Sequence, residues 1–297
     1  MSLRHNDNAI IYFSQFLFFI KKSRTNFSPM SFEKEIKHHY SKGHEIYLRN
    51  ISVDCVIFGF HENELKVLLL LAKYAGIWAL PGGFILKEEH MDDSAKRILK
   101  NRTGLDEIFM HQFHVFSQPD RSSKVINQQF LKNVGVEMKD SWMFERFLSV
   151  GYSALVDFTK VQTAPDEFDS ACKWFNVNSL PDMILDHRQI LETALKELQL
   201  NLNYQPIGYN LLPEKFTMPE LQKLYETILN KKLDRRNFQR KIMATNILKK
   251  LADTKKGVAH KAPVLYKFDL KNYKIALNVG MGFTKDKVLP KSPFFLK

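Results

Sequence analysis

Two stretches of this 297-residue sequence carry side chains whose type and spacing can do chemistry. In the first, the turn Pro81-Gly82-Gly83 precedes a run of acids, Glu88, Glu89, Asp92 and Asp93, and then the bases Lys96, Arg97, Lys100 and Arg102. Clustered carboxylates are what Mg²⁺ or Mn²⁺ requires, because hard divalent cations take oxygen ligands and neutralise charge developing on a phosphoryl group. Acids that open a helix and bases that close it are also ordinary compensation of the helix dipole. The second stretch is Arg235–Ile247. At 100° per residue Phe238 and Ile242 define an apolar side. Arg236 and Arg240 lie roughly opposite, Gln239 and Met243 beside them, Asn237 on the other flank, and Arg235 and Lys241 at the shoulders. Such a helix can dock by its apolar stripe while its donors face a groove: Arg suits guanine O6/N7, Asn and Gln suit adenine N6/N7, and cations at the edges suit phosphates. A solvated basic helix is the plain alternative.

The charge distribution favours the groove. The chain carries a net +12. Residues 206–297 hold 20 Lys+Arg against 7 Asp+Glu, a net +13, and the rest nets −1. A basic module beside a neutral one implies a division of labour. Lys255, Lys256, His260 and Lys261 fall in a turn that can add backbone or minor-groove contacts. The apolar fraction of 44% excludes disorder throughout. Two cysteines, Cys55 and Cys172, exclude a disulfide scaffold and a four-cysteine zinc site and fit a reducing compartment. The most apolar stretch, Ala9–Ile20, falls short of the ~18–20 residues of a membrane span and lacks a cleavage site after it. A start of translation at Met30 is a second reading of residues 1–29.

The elements that must position these side chains can be placed from periodicity. Ile51–Phe60 and Leu65–Ala72 read as buried strands joined by a polar turn, Trp78–Phe84 as a strand ending in glycines, and Glu89–Arg102 as a helix that Gly104 ends. Further strands are expected at Phe113–Ser117, Phe147–Phe158 and Cys172–Val177, a helix at Asp186–Leu198, and an extended loop over Ser122–Glu145. The interleaving indicates an α/β domain. Beyond a linker at Asn201–Pro206, Thr217-Met218-Pro219-Glu220 is a capping box followed by Leu221, Leu224, Tyr225 and Ile228 at helical spacing. Asp234 caps the next helix, Arg235–Ala244, and Pro263–Phe268 closes a basic hairpin. That order is the order of a winged helix-turn-helix.

Gly83, Glu89, Arg97, Leu99, Gly104 and Leu105 stand at the spacings of the Nudix signature, and residues 48–200 resemble that family. The resemblance implies an α/β/α sandwich and makes Glu89 and Arg97 the structural pair tying loop to helix. Where the family carries its three metal-binding carboxylates, this chain has Ile98, Asn101 and Arg102. Isoleucine, a neutral amide and a cation cannot gather a divalent metal, so no metal, cofactor or catalytic residue is expected and the chain reads as no enzyme. A Nudix hydrolase of nucleoside-diphosphate-linked substrates, with Glu88, Asp92 and Asp93 as a non-standard metal site, is the alternative.

A degenerate Nudix domain followed by a winged helix resembles the Nudix-related transcription regulators. Segments such as Asp186-His187, Pro206–Pro213, Asp234–Phe238 and Leu265–Phe268 look like their sugar-responsive branch. The resemblance implies a bacterial, cytoplasmic homodimer that reads an inverted repeat in double-stranded DNA and senses ADP-ribose or a pentose such as arabinose. It places Lys73, Trp78, Phe84, Asp120 and Arg121 beside the effector. The expected organisation is an extension at 1–45, a sensing domain at 46–200, a DNA-binding domain at 206–274 with contacts from Arg235, Arg236, Asn237, Gln239, Arg240, Lys241, Lys255, Lys256 and Lys261, and a tail at 275–297.

Overall fold

The computed structural model describes residues 32–72, 76–105, 110–121, 124–161, 169–202, 204–255 and 262–280. The described chain divides into two compact units: residues up to 58 with 66–155 and 160–194, and residues from 195 onward with 59–65 and 156–159. No described helix is long and apolar enough to cross a membrane.

The first unit is built on a seven-stranded sheet. Its strands are β1 (Tyr47–His61), β2 (Glu64–Ala72), β3 (Trp78–Ala79), β4 (Gly82–Leu86), β5 (Met110–Phe116), β6 (Leu148–Val156) and β7 (Asp169–Asn176). The order is β3-β2-β1-β6-β5, with β4 also pairing β1 and β7 pairing β2. The buried runs of β1 and β2 explain their near-continuous hydrophobic sequence: Val53, Cys55–Phe58 and Val67–Leu70 have no exposed surface. β4 pairs antiparallel with β1, setting Gly82 opposite Asp54 and Phe84 opposite Ser52. Helix α2 (Met91–Thr103) follows, with His90 as N-cap and Gly104 in the left-handed region at φ 72°, which ends the helix without steric cost.

One sequence expectation fails in this unit. The stretch Ser122–Glu145 is not an extended loop. It contains helix α3 (Lys124–Asn133) and a 3₁₀ turn at Trp142–Phe144. Residues assigned to an N-terminal extension also fold: α1 (Phe32–Lys42) buries Ile36 and Tyr40 in one core cluster with Tyr47, Phe84, Leu131, Trp142 and Phe147. Three polar groups of the stretch are paired with α1, while Lys132, Glu137, Lys139 and Asp140 stay exposed. Tyr40 Oη donates to Asn127 Oδ1 (3.1 Å), Ser141 Oγ to the Tyr40 carbonyl (2.6 Å) and Trp142 Nε1 to the His39 carbonyl (2.9 Å). Each buried aromatic removes enough apolar surface to contribute about 1.5–3 kcal/mol.

Helix α4 (His187–Asn201) begins in the first unit and ends in the second. The second unit then runs β8 (Phe216–Thr217), α5 (Met218–Leu229), α6 (Arg235–Ala244), β9 (Leu248–Thr254), β10 (Val264–Phe268) and α7 (Leu270–Val279), with the strands ordered β8-β10-β9. The Thr217/Glu220 capping box forms as expected: Thr217 Oγ1 accepts from the Glu220 amide and Glu220 Oε2 from the Thr217 amide. α7 crosses residue 275, where a tail was expected to begin, and its Tyr273 Oη donates to the Pro206 carbonyl at 2.8 Å.

Candidate functional site

Helix α6 buries its apolar stripe and exposes its polar side chains. Phe238 and Ile242 are 7% and 4% exposed, and the Phe238 ring meets Tyr225 of α5 edge-on at 5.3 Å. Arg235, Arg236, Asn237, Gln239, Arg240 and Lys241 are all exposed. Asp234 caps the helix by accepting from the Asn237 amide (2.9 Å), and Arg240 Nη2 donates to Asn237 Oδ1 (2.9 Å), which aligns two donor side chains on one face. The sharp connection from α5 follows from Asn230, left-handed at φ 49°, and from Glu226, which accepts the Leu233 amide at 2.9 Å. Buttressing interactions hold the Glu226 carboxyl below its usual range.

On the β9–β10 hairpin, Lys255 is exposed and paired with Glu220 at 2.6 Å. Lys256, His260 and Lys261 lie outside the described residues. Sequence reasoning missed Lys249 and Lys250, both exposed on β9, with Lys249 2.9 Å from Asp269. The signal available was a buried Leu248 followed by two lysines at the entry of the hairpin.

The turn between β4 and α2 keeps its scaffold. Arg97 Nε and Nη2 each donate to Glu89 at 2.7 Å, Nη2 also reaches the Phe84 carbonyl at 3.0 Å, and the Leu86 amide donates to Glu89 Oε2 at 3.2 Å. A two-pronged guanidinium–carboxylate pair with both groups largely buried fixes the turn with little freedom. One turn further along α2, Ile98 and Arg102 are buried, Arg102 at 2% exposure, and Asn101 is half-buried. These three positions offer one neutral amide oxygen and a buried cation, a donor set that does not fit Mg²⁺ or Mn²⁺. The nearby acids are otherwise engaged: Tyr152 Oη donates to Asp92 Oδ1 at 2.5 Å and Asp93 pairs with Lys96 at 3.0 Å. Burial and that bond to Asp92 push the Tyr152 hydroxyl well above its ordinary value. Among the described residues no group of three His, Cys, Asp or Glu side chains is placed to hold a metal ion.

Comparison with known proteins decides what these two arrangements are. Residues 48–194 match the NUDIX domain family, and residues 208–268 match the NrtR DNA-binding winged helix domain. The chain is a Nudix domain joined to an NrtR-type winged helix domain. It is 26% identical to the "ADPR responsive transcriptional repressor NtrR" of Acinetobacter baylyi over 75% of this chain and 83% of that protein. It is 29% identical to the "ADP-ribose pyrophosphatase" of Methanocaldococcus jannaschii over 55% of this chain and 84% of that protein. The fold of Shewanella oneidensis NrtR, solved with a 27mer DNA, is similar at a TM-score of 0.60 and 23% identity over 76% of this chain and 96% of that one.

Within the Nudix domain the expected effector residues scatter. Lys73 lies outside the described residues. Phe84 is 3% exposed and sits in the core, 5.2 Å from Trp142 and 5.6 Å from Phe147, because its register against Ser52 turns it toward α1. It is a packing residue and the expectation that it touches an effector is withdrawn. Trp78 is half-buried with its ring edge-on to Phe175 at 4.5 Å, and Asp120 is exposed. Arg121 is buried and ion-paired. Its Nε and Nη2 donate to the two oxygens of Asp186 at 2.8 and 3.0 Å, and Nη2 lies 3.5 Å from Asp54 Oδ2. Asp54 also accepts from Ser149 Oγ and faces His187 Nε2 at 3.7 Å. The Leu80 amide donates to His187 Nδ1 at 2.9 Å, and burial holds this imidazole below its ordinary pKa. Sequence reasoning did not assemble this group. Its signal was Asp54, a lone carboxylate inside a buried apolar strand.

Proposed function

We propose that this protein is an effector-responsive transcriptional regulator that binds operator DNA through its winged helix and senses a small molecule in a non-catalytic Nudix domain. The observation that carries the reading is α6, which exposes six donor side chains over two buried apolar anchors. In this reading Arg236 and Arg240 read guanine edges, Asn237 and Gln239 read adenine, and Arg235, Lys241, Lys255, Lys256 and Lys261 meet phosphates. Two chains in a homodimer read an inverted repeat in the cytoplasm, with half-sites about one helical turn apart. The effector is ADP-ribose, supported by the described response of the Acinetobacter baylyi relative, or a pentose, on the sequence resemblance alone. Lys73, Trp78 and Asp120 remain the proposed contacts. Arg121, turned inward onto two carboxylates, acts behind them.

Selection of bound duplexes from a random pool, repeated with ADP-ribose, arabinose and xylose, tests this. A recurring inverted repeat whose recovery changes with one ligand is expected. Recovery without sequence preference contradicts it.

The second reading, hydrolysis of a nucleoside-diphosphate-linked substrate, has the Methanocaldococcus jannaschii relative in its favour. It requires Mg²⁺-dependent turnover of ADP-ribose that disappears on Asp92→Asn and Asp93→Asn. The regulator reading expects no turnover.

A further inference from the structure

We propose that the depression between the start of β1 and the start of β6 is a small-molecule site of its own, which takes a medium-chain aliphatic carboxylate. It does not depend on the regulator reading, and none of the residues assigned there to DNA or effector lines it. Among the described residues of the first unit, the exposed large apolar side chains are Ile46, Leu48, Val115 and Leu148. They gather at one end of the sheet. Ile46 and Leu48 flank the first residue of β1, Leu148 opens β6, and Val115, near the end of β5, pairs with Val150 of β6. Exposed aliphatic residues scattered singly need no account, whereas exposed carbon gathered in one place marks a binding surface.

Here the surface is concave. A cavity of about 550 Å³ is lined by Leu48, Arg49, Asn50, Ile51, Arg146 and Leu148. It lies over a break in the pairing of β1 with β4, whose register shifts between Tyr47 and Ser52. Within that break Asn50 is left-handed at φ 65°, a conformation asparagine tolerates better than most residues. Its Nδ2 donates to the Arg146 carbonyl at 2.8 Å, which ties the two strand starts together. Such a break re-aims side chains and leaves room that a regular ladder would close.

Volume, wall and charge select the occupant. The volume lies within the ~300–1,000 Å³ of small-molecule sites. Six lining residues fall well short of the ~20–30 a side of a stable protein interface, which favours a small molecule over a second copy of the chain. The carbon of the wall comes from Leu48, Ile51 and Leu148 and includes no aromatic ring, so the body of the ligand is aliphatic. The cations are two guanidiniums. Arg49 Nη1 is 3.9 Å from Glu145 Oε1, a loose pair in which both side chains are about half exposed. Arg146 Nη2 donates to the Ser117 carbonyl, a neutral partner, and a guanidinium has further donors to give. Two forks beside aliphatic carbon match a carboxylate on a hydrocarbon chain, because each fork can give two parallel N–H bonds to its oxygens.

The test titrates the full chain, labelled at its isoleucine and leucine methyl groups, with octanoate below its micellar concentration and follows the methyl resonances. Saturable shifts at Leu48, Ile51 and Leu148 are expected. Octanol, which lacks the charge, is expected to bind about fivefold or more weakly, and Arg146→Gln to weaken octanoate by a similar factor. Arg49→Gln carries this comparison should Arg146→Gln not fold. Octanol that binds as well as octanoate, or a Gln variant that binds octanoate as before, overturns the carboxylate. A titration that leaves these three methyl groups unmoved overturns the site. Shifts at Leu48 and Leu148 that follow protein concentration instead of octanoate assign the face to a second copy and overturn the proposal as well. No duplex enters these measurements, so this site and the regulator reading fail separately.

Discussion

In the proposed reading, recognition rests on a few exposed side chains of α6. Arg236→Ala or Arg240→Ala is expected to cost about 1–3 kcal/mol at particular base pairs while leaving binding to unrelated duplexes little changed. Binding measured on single-base variants of the selected duplex separates this from a uniform loss, which would make these arginines phosphate contacts. The buried imidazoles give a second prediction. Burial lowers the pKa of His39, inside an aromatic cage with Phe84 stacked at 5.8 Å and Trp142 edge-on at 5.3 Å. Burial also lowers that of His187, against the pull of Asp54 and Asp186 and with the help of Arg121. A group whose pKa is depressed by folding favours the native state above its unfolded value of 6.5 and loses that contribution as pH falls. Thermal unfolding is therefore expected to shift to lower temperature as pH drops below about 6.5. A flat profile from pH 7 to the onset of carboxylate titration would contradict it.

At the scale of elements, what the sequence discloses depends on how local the cause is. Glu89 and Arg97 were legible through the Nudix resemblance, whose signature lies within one turn and one helix, and the two side chains are bonded at 2.7 Å. The α5–α6 pair was legible for the same reason: caps at Thr217 and Asp234 and apolar spacing lie within single elements. Phe84, one residue past the signature glycine, was misread because its direction is set by pairing with β1, which motif spacing does not encode. The Arg121 group was invisible because its partners lie 65 and 67 residues away. The fold of Ser122–Glu145 was hidden because its few apolar residues, Leu131, Val136, Trp142 and Met143, pack against Ile36 and Tyr40 of α1, far away in the sequence. The capping box supplies the test at this scale. Thr217→Ala is expected to destabilise the winged helix by about 1 kcal/mol and weaken all duplexes equally, because it loosens the seat of α6 without touching its readout side chains. Calorimetry and binding to matched and mismatched duplexes check both halves.

For the whole molecule the excess charge belongs to the DNA-binding part. With about five phosphate contacts per chain, log affinity is expected to fall with log salt with a slope near about −4.5 per protomer, doubled for a homodimer on an inverted repeat. A slope near zero would remove the basic module from the account. The Nudix domain has the β4–α2 turn and the Glu89–Arg97 clamp, and the positions where the resemblance implies metal ligands carry Ile98, Asn101 and a buried Arg102. A ligand that binds such a domain without being cleaved can act only through its differential affinity for two states, typically ~1–3 kcal/mol. The most direct measurement is the affinity of the full chain for its selected duplex, titrated with ADP-ribose and separately with arabinose in the presence of Mg²⁺, with the ligand assayed afterwards. One of them is expected to shift affinity by about 5–150-fold and to be recovered intact. Sequence-indifferent binding that neither ligand alters, or consumption of ADP-ribose during the titration, would contradict it.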